Sequence, residues 1–326
     1  MLEKTILLIG IGTNKFKLNE INEVQDKNYI KNNYGESSCF LKAYNIMQKF
    51  SQEHVYILNI DAWENVKDQE EILADLCFDY IVPLDLFLDD AYYDEFYNKK
   101  LFYSQLLLLI LHKTISTVIM TGKKASGYET LSAYLDDEFK KIEQAQIRFN
   151  NLKRENFIYV TNNLIAYDYA NVVLACMLID ADYAAYPSSA ILGDAYFEID
   201  YSDIENKKLA FFKNNSLTGT TIENLVNFSD DDIRRLVPVN KIIKYFYFNK
   251  PDHDQFIGKA MTDYRKVKIR EILEEYLNNL TNWIIYKYKI NSVTDLTDQT
   301  GAVTVILRFD IWPKFTTEKY RLETKL

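Results

Sequence analysis

Cysteine, histidine and surplus positive charge are what this chain has least of, and each shortage excludes something. Its 326 residues hold three cysteines, Cys39, Cys77 and Cys176. They are odd in number, widely separated and without paired spacing, which excludes a disulfide framework and a zinc knuckle. They read as small apolar core residues in a reducing compartment. The three histidines, His54, His112 and His253, have no second metal-type ligand at helical or hairpin spacing, so no metal is expected. Lysine and arginine number 38 against 47 aspartate and glutamate, a net charge of -9. A surface that tracks phosphates needs a basic excess, so nucleic acid is not an expected partner. The apolar runs Thr5 to Ile11 and Leu106 to Leu111 are too short to cross a bilayer. No small-residue cleavage site follows the first. A soluble, unsecreted chain without membrane insertion is expected.

What is present is a folding composition, 48% hydrophobic with 14% aromatic, enough to bury one large core or two moderate ones. Thr5 to Gly10 is a continuous apolar run of the kind buried in a parallel sheet. A short strand is expected over Leu18 to Val24. Asp26 then caps a helix that Gly35 closes, and Ser37 or Ser38 caps a second over Phe40 to Phe50. Strands over His54 to Ile60, Phe78 to Pro83, Thr114 to Thr121 and Phe157 to Val160 alternate with helices. Those helices are expected over Val66 to Leu76, Tyr92 to Leu111, Glu129 to Phe149 and Tyr167 to Ile179. This alternation predicts an α/β fold, a mixed, largely parallel sheet layered with helices. Beyond Asp182 the expectations are a loop at Tyr186 to Ser189, a short helix over Ile204 to Phe212 and a strand over Val239 to Phe248. A long helix follows over Ala260 to Leu280, then a strand over Trp283 to Ile290 and a polar loop over Thr294 to Gly301. The C-terminus holds two period-two runs, Ala302 to Ile311 and Glu318 to Leu326, separated by Pro313. They form either a hairpin or a terminal arm that pairs with a neighbouring subunit. Three parts are expected, 1–182, 183–301 and 302–326.

No catalytic constellation emerges. Gly10-Ile11-Gly12 after the first strand has the start of a dinucleotide-binding turn, but Lys15 stands where a third glycine is needed, and no GxxxxGK[ST] run exists. Asp89-Asp90, Asp136 to Glu138 and Asp230 to Asp232 offer paired carboxylates. Each reads instead as a helix start or a solvated face. Asp180-Ala181-Asp182 reads as a solvated turn, and Ser188-Ser189 lacks the Gly-x-Ser-x-Gly elbow of a nucleophile.

The order of segments resembles the contractile-tail sheath family of phages and related injection machines. The phrases that carry the likeness begin with TILLIGIGTNKFKLNEINEVQDKNYIKNNYGESSCFLKAYNIM. They continue with VVLACMLIDADYAAYPSSAILGDAYFEI, Val172 to Ile199, and with Val239 to Leu280, where Phe256-Ile257-Gly258 precedes the long helix. The alternating end, Ala302 to Leu326, is the last. The resemblance implies a structural subunit, not an enzyme, that needs no cofactor. Such a subunit forms homo-oligomeric rings or a helical lattice around a tail tube protein, and meets baseplate and tail-terminator proteins. It is located in a virion tail assembled in the host cytoplasm. Related expectations are a specialised sheath-like ring at the baseplate or collar and, from a different class, a Rossmann-like nucleotide-binding enzyme. Only Met1 to Lys4 precede the first strand, so the inter-subunit strand is expected at Tyr320, Leu322 and Leu326. On the long helix, Ile269, Ile272, Tyr276 and Leu280 are expected to be buried, with Lys266, Arg270 and Glu274 facing outward or toward the tube.

Overall fold

A computed structural model describes residues 5–50, 54–63, 78–86, 116–148, 156–180, 188–189, 193–204, 207–215, 219–230, 262–281, 284–297 and 303–313, with single positions at 65, 69, 73, 237, 241–242, 245–246, 249 and 260. The chain divides into two compact units, Met1–Val237 and Pro238–Leu326, so the break falls within the expected 183–301 part.

The first unit is built around β1 (Thr5–Gly10). Its sheet has six strands in the order β2 (Ile21–Glu23), β3 (His54–Asn59), β1, β4 (Tyr80–Pro83), β5 (Thr117–Thr121) and β6 (Phe157–Val160). All pairings are parallel except that of the edge strand β2 with β3. Helices α1 (Lys27–Tyr34), α2 (Cys39–Met47), α3 (Leu131–Arg148) and α4 (Ala170–Asp180) cover it. Ile6 and Leu8 pack with α1, α2 and α4, whereas Leu7 and Ile9 pack with Tyr134, Leu135 and Ile142 of α3. Two covered faces are why the strand sequence is continuously apolar, and each such side chain contributes about 1.5–3 kcal/mol by leaving water. Helix α4 is buried from Ala170 to Ile179, and its sequence is correspondingly apolar all round.

The sequence sets the local boundaries. Asp26 Oδ1 accepts from Tyr29 N at 2.6 Å and Ser38 Oγ from Leu41 N at 3.3 Å, so both expected caps form. Gly35 ends α1 at φ 102, where a Cβ would collide with Thr13 Oγ1. Past β6, Ala210 pairs in parallel with Val160, and its chain then enters a three-stranded sheet of β7 (Ser188–Ser189), β9 (Gly219–Glu223) and β8 (Phe211–Asn215). Buried Asn163 fastens the junction: Nδ2 donates to Phe212 O at 2.8 Å and Oδ1 accepts from Phe212 N at 3.3 Å.

In the second unit α5 (Asp263–Thr281) packs against β10 (Ile285–Thr297), which pairs antiparallel with β11 (Val303–Pro313). Ile269, Leu273, Leu277 and Leu280 are the buried stripe of α5. Ile272 and Tyr276 border it and are half-buried.

Several expectations are corrected. The segment expected as a helix over Ile204 to Phe212 is extended from Leu209 onward, because Ala210 N donates to Tyr159 O and Thr161 N to Ala210 O. The open edge of β6 outweighs local propensity there. Of the strand expected over Val239 to Phe248, the described residues Lys241, Ile242, Tyr245 and Phe246 are helical, and Asn249 N donates to Tyr245 O at 2.9 Å. Buried Ile242 and half-buried Tyr245 and Phe246 stand three and four apart, a helical spacing that the aromatic content masked. β10 runs on through Thr297, taking in the start of the expected loop, and Ser188–Ser189 pairs with β9 where a loop was expected. The helices expected over Val66 to Leu76 and Tyr92 to Leu111 lie wholly or largely outside the described residues, as does the run Glu318 to Leu326.

Candidate functional site

In a doubly wound sheet a ligand crevice opens where strand order reverses, here between the C-terminal ends of β1 and β4. Among the described residues, the loop at this edge is bonded to its own chain. The loop after β1 carries the Gly10-Ile11-Gly12 motif, and three of its amides are engaged within the chain. Gly12 N donates to Asn59 Oδ1 at 2.8 Å, and Thr13 N and Asn14 N donate to Tyr34 O at 3.0 and 3.3 Å. Asn59, buried at the end of β3, returns two bonds from Nδ2, to Asn14 O at 3.2 Å and Phe16 O at 3.0 Å. A Cβ on Gly10 would lie 2.9 Å from Cys39 Sγ and 3.3 Å from Leu84 Cβ. The glycine therefore serves close packing of α2 on the strand. Burial and the neighbouring Asp85 push the Cys39 thiol up to about 12, so it is an inert core group. Asn171, buried near the start of α4, donates from Nδ2 to Pro83 O at 2.9 Å and closes the same edge over β4.

The acidic run on α3 departs from expectation. Asp136 is exposed, but Asp137 is half-buried and Glu138 fully buried. Lys141 Nζ lies 3.0 Å from Glu138 Oε1 and 2.7 Å from Asp137 Oδ2, and Tyr128 donates its hydroxyl to Asp137. Burial works against ionisation of Asp137, yet the hydrogen bonds from Lys141 and Tyr128 and the lysine charge outweigh it and hold the carboxyl below the usual aspartate range. Glu138 also lies over Gly122, where a Cβ would be 2.4 Å from its Oε1. The buried pair of Glu138 and Lys141 packs α3 onto the end of β5.

Of the other candidates, His54 lies 3.7 Å from Glu23 Oε1, Asp180 and Asp230 are exposed, and Cys39 and Cys176 are buried and unlinked. Among the described residues no group of His, Cys, Asp and Glu is placed to hold a metal ion, and no helix is long and apolar enough to cross a membrane. Cys77, His112, His253, Asp89, Asp90, Asp182, Asp231 and Asp232 lie outside the described residues.

On α5, Lys266 forms an ion pair with Asp295 of β10, while Arg270 Nε lies 3.1 Å from Glu274 Oε1 on the solvent side of the helix. The hydrogen bond that Lys266 donates to Asp295 raises the Lys266 pKa and lowers that of Asp295. Tyr288 Oη donates to Asn278 Oδ1 at 2.9 Å, a second tie between hairpin and helix. Tyr320, Leu322 and Leu326 lie outside the described residues.

No family model and no curated protein matches the sequence. The likeness is structural. A chain in the 6-fold symmetrised baseplate of the anti-feeding prophage superposes with a TM-score of 0.68 at 11% identity, over 100% of this chain and 94% of that one. The PVC sheath complex of an extracellular contractile injection system, in its contracted state, gives 0.64 at 12% identity, over 99% and 91%. The sheath tail protein of Desulfitobacterium hafniense gives 0.55 at 9% identity, over 95% and 97%. The fold is that of contractile sheath proteins. Within this sheath fold, the phrases that carried the resemblance fall on β1 to α2, on α4, on α5 and on β11, which are major packing elements of the two units. The buried asparagines that shape it went unnoticed. Their signal was an amide directly after or inside an apolar run: Asn59 after HVYIL, Asn163 after FIYVTN and Asn171 inside ANVVLACMLI.

Proposed function

We propose that this chain is a structural subunit of a contractile sheath, assembling as rings around a tail tube and joined to its neighbours by terminal strand exchange. The observation that carries the reading is that the sheath fold accounts for nearly the whole chain and nearly the whole of each structure it matches. A second support is that the amides of Gly12, Thr13 and Asn14, in the loop after β1, are engaged by Asn59 and Tyr34 of the chain itself. On this reading the protein performs no turnover and uses no cofactor. Its partners are other copies, a tail tube protein, and baseplate and tail-terminator proteins, in a tail put together in the host cytoplasm. Tyr320, Leu322 and Leu326 would form the strand that pairs with a neighbour's sheet edge, and Lys266, Arg270 and Glu274 would face outward or toward the tube.

The test is removal of Thr317 to Leu326. Negative-stain images of the full chain should show rings or tubes, and the shortened chain should melt at the same temperature yet form none. A large loss of stability in the shortened monomer would place the strand in its own core and refute the exchange. A second reading, a specialised sheath-like ring at the baseplate or collar, draws on the match to a chain in a baseplate assembly. Stacks of indefinite length would favour the main sheath, and single rings the specialised one.

A further inference from the structure

Charge is divided very unevenly along this chain. Pro238–Leu326 holds 15 lysines and arginines against 11 acids, whereas Met1–Val237 holds 23 against 36, giving formal charges of +4 and -13. One face of the described hairpin carries three of those cations, Lys287, Lys289 and Arg308. In β11 the half-buried residues Leu307, Phe309 and Ile311 alternate with exposed Arg308, Asp310 and Trp312. In β10 Ile290 is buried and Tyr288 bonds to α5, so Lys287 and Lys289 point the other way, opposite Trp312 and Asp310. Lys287 Nζ lies 5.0 Å from the Trp312 ring centroid. Tyr286, 74% exposed, and Trp312, 41% exposed, flank these cations. An exposed tryptophan among three cations and one acid is a surface with a strong demand for an acidic, partly aromatic partner.

The first unit displays such a surface. Asp194, Glu198, Asp200 and Asp203 are all exposed within ten residues, and the same stretch exposes Tyr196 at 43% and Tyr201 at 53%. Lys213 is the cation tied to this rim, with Nζ 2.6 Å from Asp200 Oδ1. Its pKa is raised first by that hydrogen bond and then by the charges of Glu223, Asp200 and Glu198, as for a cation surrounded by carboxylates.

We infer that the outer face of the β10–β11 hairpin docks onto the Asp194-to-Asp203 rim of a second copy of this chain. Lys287, Lys289 and Arg308 meet carboxylates there, and Trp312 and Tyr286 pack against Tyr196 and Tyr201. The two patches differ, so the contact is head-to-tail and leads either to a closed ring or to an open filament. The inference rests on the self-assembling sheath reading and adds to it a contact distinct from strand exchange, one that is electrostatically steered and salt-sensitive.

The experiment uses the full chain and two charge-reversed variants, Lys287→Glu/Lys289→Glu/Arg308→Glu and Glu198→Lys/Asp203→Lys. All five positions are exposed, so circular dichroism and melting should match the wild type, and self-association is followed by sedimentation velocity at low and high salt. Each variant alone should associate at least about tenfold more weakly. An equimolar mixture should recover association, because the reversed hairpin of one variant fits the reversed rim of the other. Wild-type assembly in either variant, or no recovery in the mixture, overturns the contact while leaving the sheath reading standing. Loss of binding to an acidic tail tube with self-assembly intact assigns the hairpin face to the tube and also overturns it. A wild-type chain that remains monomeric at all concentrations removes both the contact and the reading beneath it.

Discussion

Asn59 shows how a single side chain settles what a crevice does. Its oxygen accepts from Gly12 N, and its nitrogen bonds two carbonyls of the following loop, all from a side chain that is itself buried. Asn59→Ala should therefore cost on the order of 2–3 kcal/mol in denaturant unfolding, from backbone groups left without partners. An unchanged midpoint would show that the loop rebonds elsewhere. The α3 cluster makes the opposite kind of case, because charge replaces amide. Lys141→Met strips a cation from the buried Glu138 and should destabilise by about 3–5 kcal/mol, with much of that recovered in Lys141→Met/Glu138→Leu. Asp137 adds a pH signature. Its folded pKa lies below the ordinary value of about 3.9, so its stabilisation is full above that pH and is lost as pH falls through the folded value. The gap in melting temperature between wild type and Asp137→Asn should stay level from neutral pH down to about pH 5 and close at lower pH. The sequence showed three adjacent acids but not this division. Helical geometry set one outward, one half in and one under the sheet edge, and only the packing of α3 reveals which.

At the scale of elements, strands and helices with strong periodicity were legible and those with competing signals were not. β1 and β6 could be read because a strand buried on both faces leaves an unbroken apolar run with little ambiguity. The Ile204 to Phe212 stretch was misread because the deciding partner, the edge of β6, is some fifty residues away in sequence. Helix α5 was placed within three residues at its start, though its buried stripe runs through Leu273 and Leu277 and leaves Ile272 and Tyr276 at the border. Leu273→Ala should cost about 2–5 kcal/mol as a cavity in that stripe. Tyr276 behaves differently. Its ring lies 5.7 Å from that of Phe246, while its hydroxyl is buried and has no hydrogen-bond partner among the described residues. Burial accordingly raises its pKa. Tyr276→Phe should be neutral or raise stability by up to about 1 kcal/mol, and a clear loss would reveal a partner for that oxygen.

Over the whole molecule, the division into two units makes a claim about folding that neither residues nor elements make alone. Every residue of the two large hydrophobic clusters lies at or before Val237. Those clusters fill both faces of the six-stranded sheet, and the strands that make the sheet are contributed entirely by Met1–Val237. The second unit supplies its own stripe, with Ile269, Leu273, Leu277 and Leu280 on α5 and Ile285 and Ile290 on β10. A fragment ending at residue 237 should therefore be monomeric, melt in one cooperative transition and keep the near-ultraviolet dichroism expected of fixed Tyr34, Tyr134 and Tyr159. It should also fail to form rings, since the helix, the hairpin and the terminal strand proposed for assembly are all missing from it. If the fragment is instead molten, with helical content but no fixed aromatic environment, then the first unit depends on the second for its core, and the division at 237 is one of shape without independent stability.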